Sequence, residues 1–226
     1  MKKTAIRMAT IVLATVLPAS VVLADEASLD TEKAKVSYSI GLMIGERVLK
    51  TYDDIDYELL MQAMQAQHQG KETLMSVEDA GRVLQEQQQK QADARSGAAK
   101  AEGEKYLETN AKREGVQVTD SGLQYEVLQE SDGAKPTSAN TVKVHYVGTL
   151  LNGKEFDSSV ARGEPATFPL RGVIPGWTEG LQLMNVGSKF KFVIPSELAY
   201  GDRGAGPNIG PGETLVFEVE LLEIVE

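Results

Sequence analysis

Near its C-terminus the chain reads Leu215-Val216-Phe217-Glu218-Val219-Glu220-Leu221, with Leu215, Phe217, Val219 and Leu221 at every second position. Successive side chains of a strand point to opposite faces, so this period puts the four large apolar residues on one side, whereas a helix would scatter them. The alternation recurs at Leu123, Tyr125 and Val127, at Val142, Val144 and Tyr146, and at Phe190, Phe192 and Ile194. Each stretch reads as a half-buried antiparallel strand. Asn152-Gly153 marks a tight turn, and Pro175, which has no N–H to lose at a helix start, opens a short helical stretch through Leu183. Residues 118–226 are therefore expected to form an α+β domain, an antiparallel sheet wrapped around one short helix.

Upstream of Gly115 the period is helical. Ser76 and Asp79 make a capping-box pattern ahead of a run rich in Gln, Glu, Lys and Ala that reaches about Glu114 with almost no apolar face. As a helix, about forty such residues would span ~60 Å. A disordered linker is the competing reading, favoured by Gly97 and Gly103; the absence of proline favours helix. Before it, Val36, Ile40, Met43, Ile44 and Val48 recur at three- and four-residue spacing behind Asp30 as an N-cap, and a second amphipathic helix runs from near Asp56 to Gly70 with Leu60, Met61 and Met64. Two short helices bury little core alone. Met43, Met61, Met64 and Met75 suit either ordinary packing or an adaptable interface with a second copy. The expected organisation is an all-α dimerisation arm over 25–75, a long connecting helix over 76–117, and the α+β domain over 118–226.

Lys2, Lys3 and Arg7 precede an apolar run from Met8 to Leu17, then Pro18 and a small-residue exit at Val22-Leu23-Ala24. That is the pattern of a secretory signal peptide over 1–24. A transmembrane anchor needs roughly 20 apolar residues, more than this run offers. The expected destination is the periplasm, with association to the outer-membrane surface left open. The chain has no cysteine, which excludes disulfides, thiol catalysis and cysteine metal sites. Its net charge of −10 excludes nucleic acid as an expected partner. His68 and His145, far apart in sequence, make no ligand pattern, so neither a metal nor a cofactor is expected.

Five segments appear in order in the second half: Val144-His145-Tyr146-Val147-Gly148, Phe156-Asp157-Ser158-Ser159, Val173-Ile174-Pro175-Gly176-Trp177, Ala199-Tyr200-Gly201, and the 215–221 strand. Their order and spacing resemble the FKBP family of peptidyl-prolyl cis/trans isomerases, over roughly Thr119 to Glu226. The upstream arm, with Ser37-Tyr38-Ser39-Ile40-Gly41, resembles the macrophage infectivity potentiator branch of that family. The resemblance implies an isomerase acting on X-Pro bonds of unfolded or partly folded polypeptides, a homodimer with chaperone activity in its arm, and susceptibility to macrolide inhibitors. It also implies roles for residues. Trp177 would floor the pocket beneath the proline ring, with Tyr146, Phe156, Val173, Ile174 and Phe217 as walls and Phe168 in the loop beside it. Ile209 adds to this apolar set. Tyr200 would donate its hydroxyl to the carbonyl preceding proline, and Asp157 would lie at the rim as an acceptor. Gly210 stands where the family often has proline and Ala166 where some members place an aromatic; both bear on loop rigidity and ligand preference. Taken singly, Phe217, Val173, Ile174 and Trp177 would suit the core of any such sheet.

The chemistry agrees with that equipment. Rotation about X-Pro must break amide resonance, a barrier of roughly 18–20 kcal/mol, but no covalent bond is cleaved and no proton need be lost. A twisted amide is less dipolar than a planar one, so an apolar enclosure disfavours the ground state more than the transition state. All the pocket candidates fall after residue 118, so turnover of short peptides is expected to need nothing upstream. A binding protein that chiefly holds unfolded clients, in a cleft between the catalytic domains of two arms joined at a dimer base, is the alternative from a different class.

Overall fold

The computed structural model describes residues 28–52 and 54–225; the signal-peptide reading falls outside them. The described residues divide into two compact units, the first ending at Leu74 and the second beginning at Met75.

In the first unit, α1 spans Glu32–Arg47 and α2 spans Tyr57–His68. Thr31, rather than Asp30, caps α1: its hydroxyl accepts from the Ala34 amide at 3.1 Å. Asp56 caps α2, accepting from Glu58 and Leu59 at 3.0 Å, and Gly70 ends it with φ +64°. Neither helix has a buried residue. Val36, Ile40 and Met61 are each about half exposed, at 51%, 53% and 50%.

The second unit opens with α3, Val77–Asn110, capped by Ser76, whose hydroxyl accepts from the Asp79 amide at 3.0 Å. The run read as helix or linker is thus helical. It is followed by β1 (Val116–Val118), β2 (Gln124–Gln129), β3 (Thr141–Leu150), β4 (Glu155–Ser158), the single turn α4 (Ser159–Arg162), β5 (Ala166–Pro169), α5 (Pro175–Leu181), β6 (Lys189–Ile194) and β7 (Leu215–Val225). The sheet order is β1-β2-β6-β7-β3-β4, with β5 also on β3, and every pairing is antiparallel. Val144, Tyr146 and Gly148 on β3 stand opposite Leu221, Val219 and Phe217 on β7. That register puts both strands' apolar sets on the face that α5 covers with Trp177 and Leu181, one helical turn apart. Gly180 lets α5 approach the sheet: a Cβ there would lie 2.7 Å from the Phe192 ring. The core formed this way includes Leu123, Val142, Val144, Phe192, Ile194, Leu215, Val219 and Leu221, all fully buried.

Helix α3 is not solvated along its whole length. Ser96, Gly103 and Asn110, seven residues apart and so nearly on one face, are buried. Asn110 Nδ2 donates to Gln124 Oε1 at 2.8 Å, and Gln124 Nε2 donates back to the Leu107 carbonyl at 2.9 Å. The C-terminal half of α3 is therefore packed within the unit that holds the sheet, although the sequence suggests a free-standing connector.

Candidate active site

Strand β3 carries Tyr146 inward and His145 outward, as alternation requires. Around Tyr146 the fold gathers Phe156 and Asp157 from β4, Phe168 from β5, Gly172, Val173 and Ile174 from the segment entering α5, Trp177 from α5, Tyr200, and Phe217 from β7. These ten residues line a cavity of about 280 Å³. Nine of them are among the expected site residues. The tenth, Gly172, gives no side-chain signal in the sequence. Ile209 does not line the cavity; it is buried in the core, and its backbone pairs with Ala205 across the 204–210 loop.

Four of the six aromatic ring pairs in the cavity meet edge to face, the arrangement their quadrupoles favour. Trp177 lies 5.2 Å from Tyr146, 5.2 Å from Phe217 and 5.5 Å from Phe168, at interplanar angles of 87°, 76° and 90°. Phe156 meets Phe217 at 5.4 Å and 85°. Gly148 makes room for that last contact, since a Cβ there would lie 2.7 Å from Phe156 and 2.8 Å from Phe217. Trp177 is 4% exposed, while Tyr200 is 40% exposed.

The polar groups of the site are mostly committed to one another. Tyr146 donates its hydroxyl to Asp157 Oδ2, Arg162 Nη1 is paired with Asp157 Oδ1, and Arg162 Nη2 donates to the Tyr146 oxygen at 2.9 Å. Arg162 also lies over the Tyr146 ring, 5.6 Å from its centroid. Burial pushes the Asp157 carboxyl up, but the hydrogen bonds from Tyr146 and Arg162 outweigh it and hold the group below its ordinary value. Burial and then the bond to Asp157 push the Tyr146 phenol up. Burial, with the Asp157 charge second, does the same to Tyr200. Near neutrality the carboxylate is charged and both phenols keep their protons.

Arg162 is the polar residue that sequence reading overlooks. It follows Asp157 by five positions at the end of α4, where Gly163, with φ +77°, turns the chain away. A cation shortly after a rim carboxylate is the available signal, but only the fold closes the triangle with Tyr146. Two side-chain donors in the cavity wall have no hydrogen-bond partner among the described residues: the Tyr200 hydroxyl and Trp177 Nε1. The indole nitrogen is shut away from solvent, and the Tyr200 side chain is open. His145 Nδ1 lies 3.1 Å from Ser159 Oγ behind the strand, and His68 is on α2; neither lines the cavity. Among the described residues no cluster of three metal-ligating side chains occurs, and no helix is long and apolar enough to cross a membrane.

Comparison with known proteins matches residues 133–222 to the family described as FKBP-type peptidyl-prolyl cis-trans isomerase. Residues 33–127 match the domain amino terminal to such isomerases. The chain is 51% identical over 201 residues to the FKBP-type 22 kDa peptidyl-prolyl cis-trans isomerase of Escherichia coli, covering 87% of this chain and 97% of that protein. It is 41% identical to the outer membrane protein MIP of Legionella longbeachae, over 88% and 89% of the two chains. Among solved structures it is similar to FkpA from Escherichia coli, with a TM-score of 0.69 at 37% identity, covering 87% of this chain and 98% of that one.

Proposed function

The chain belongs to the FKBP-type peptidyl-prolyl cis-trans isomerase family, and on that premise we propose that the cavity around Tyr146 and Trp177 is where X-Pro bonds of unfolded or partly folded polypeptides are rotated. The observation that carries this reading is an aromatic enclosure whose one reachable side-chain donor without a partner among the described residues is the Tyr200 hydroxyl. The proline ring sits on Trp177, walled by Tyr146, Phe156, Phe168, Val173, Ile174 and Phe217. Water is excluded from the planar, dipolar amide, which loses more solvation than the twisted transition state does. Tyr200 donates to the carbonyl preceding proline and fixes it while the C–N bond turns. Asp157 and Arg162 lock the Tyr146 ring in place and transfer no proton. Ile209 supports the wall from within the core. A macrolide inhibitor of this family competes for the same cavity.

Replacing Phe156 by Ala tests the reading. It removes a ring that packs edge to face on Phe217 and opens the cavity to water, so kcat/KM on a short proline peptide should fall more than tenfold, equivalent to about 1.4 kcal/mol or more. Macrolide affinity should fall with it. Undiminished turnover in Phe156→Ala would remove the cavity from the reaction.

The helical unit supports a second role for the same chain. Helices α1 and α2 bury no residue of their own and leave Val36, Ile40, Met43, Leu59 and Met61 open. Apolar faces of this kind call for cover, and we assign it to the same faces of a second copy, giving a homodimer. Such a dimer carries two isomerase domains, and an unfolded client held by both gains residence from the linkage. Export to the periplasm by the N-terminal segment fits clients that fold there. Loss of client protection, with peptide turnover intact, on removal of residues 25–74 is the result expected from this division of labour.

A further inference from the structure

The loop from Tyr200 to Thr214 links the exposed donor of the cavity to β7, which carries Phe217. Inside, it is crossed by the Ala205–Ile209 pair and by the Gly212 amide donating to the Gly201 carbonyl at 2.9 Å. Outside, it is fastened to α3 at both ends. Near Tyr200, Ser96 Oγ donates to Asp202 Oδ1 at 2.6 Å, and Lys100 Nζ lies 2.6 Å from the same oxygen. Near β7, Gly212 takes φ +76° and lies against the Ser96 backbone, so a Cβ there would fall 2.6 Å from the Ser96 carbonyl oxygen. Two residues on, Thr214, 3% exposed, fits where Gly103 has no side chain: a Cβ at 103 would collide with Thr214 Oγ1 and lie 3.3 Å from its Cβ.

These contacts involve no large apolar side chain, and their ion pair is partly exposed, so they contribute little as adhesion. What they supply is geometry. The loop is held against a 34-residue helix at the second residue after Tyr200 and at the two positions flanking Glu213. We infer that Ser96, Lys100 and Gly103 of α3 are positioning residues for the isomerase reaction, holding the 200–214 loop so that the Tyr200 hydroxyl stays aimed at the substrate carbonyl. The inference rests on the donor role proposed for Tyr200. It moves the functional boundary of the catalytic unit upstream of residue 118, into the helix.

Gly103→Ala in the full chain is the test, because alanine is the better helix former and the helix itself does not suffer. Turnover of a proline tetrapeptide should drop about fivefold in kcat/KM as Thr214 and the loop are pushed off the helix. Adding Thr214→Ala removes the colliding oxygen and should bring turnover back to within about twofold of wild type. In a Tyr200→Phe background Gly103→Ala should have no further effect, since the donor it misplaces is already absent. Asp202→Ala, at an exposed position that does not threaten folding, should repeat the pattern at about twofold. Full turnover in both Gly103→Ala and Asp202→Ala overturns the inference, as does a defect of equal size with and without the Tyr200 hydroxyl. Wild-type turnover in Tyr200→Phe alone overturns the donor role instead, while the α3 contacts are still judged by the Thr214→Ala rescue.

Discussion

Tyr146 and Tyr200 line one cavity but stand in opposite electrostatic positions, and a matched pair of phenylalanine substitutions separates them. Tyr200→Phe keeps the ring and removes a hydroxyl that has no partner among the described residues. The folded protein loses no hydrogen bond, so the melting temperature should stay within the range of an ordinary surface change, about ±0.5 kcal/mol in stability. Turnover should nevertheless fall, because the donor is used only when substrate is present. One neutral hydrogen bond is worth about 0.5–1.5 kcal/mol, or roughly two- to tenfold in kcat/KM. Tyr146→Phe does the reverse. It takes from Asp157 one of its two side-chain donors and leaves Arg162 Nη2 without its acceptor. The expected loss is about 1–2 kcal/mol of stability, in line with partners left unpaired at a half-buried site. The ring remains, so turnover at a temperature well below melting should change less than in Tyr200→Phe. Thermal melts and a protease-coupled proline-peptide assay on the two variants suffice. If Tyr200→Phe melts lower than Tyr146→Phe, or turns over at the wild-type rate, the assignment of a free donor and a locked wall is wrong.

Turnover should be flat between about pH 6 and 8, since the Asp157 shift is downward and the Tyr146 and Tyr200 shifts are upward, all away from neutrality; a bell-shaped profile centred there would mean proton transfer. The sign for stability follows from the same shifts. The depressed Asp157 contributes above its unfolded value near ~4 and loses that contribution as pH falls through the folded value, so acid melts of Asp157→Asn should lack this part of the decline. Sedimentation should give twice the chain mass for the protein lacking its first 24 residues and a single mass once residues 25–74 are also removed; Ile40→Glu should weaken the larger species. Cutting instead at residue 119 strips Asn110 from Gln124 as well, and should lower the melting temperature of the isomerase unit by ~5 °C relative to a cut at 75.

The four strands that carry the core were legible because each alternates over at least five residues against a buried face. β1, β4 and β5 were not, and the reason is length. A strand such as Glu155–Ser158 shows one apolar residue, Phe156, and one residue defines no period. The cavity walls had a different kind of legibility: Phe217, Val173 or Trp177 alone is indistinguishable from core, and only the order of five motifs along the chain singles them out. Helix α3 could be read as a helix from composition and its Ser76 cap, but its docking face could not. Hydrophobic periodicity finds apolar stripes, and this stripe consists of Ser96, Gly103 and Asn110. Gly103, which in sequence argues for a flexible linker, is a position where Thr214 leaves the helix no room for a Cβ.

A reaction that turns a bond without breaking it explains why this site can be built as it is. An acid, a base or a nucleophile must change state during catalysis, so its partners must leave it room to do so. Here Asp157, Arg162 and Tyr146 are free to neutralise one another, and the tighter that triangle is, the better it fixes the aromatic wall. The cost of such rigidity falls on whatever must still meet the substrate. Tyr200 is an exposed member without a side-chain partner, on a loop rather than in the sheet, and Gly201, Gly204 and Gly206 of that loop all take positive φ. A loop of that composition does not hold a hydroxyl in place by itself. The contacts from Ser96, Lys100 and Gly103 supply from outside the sheet the stiffness that the loop lacks, and this is why a helix with no apolar face there is nevertheless packed against it.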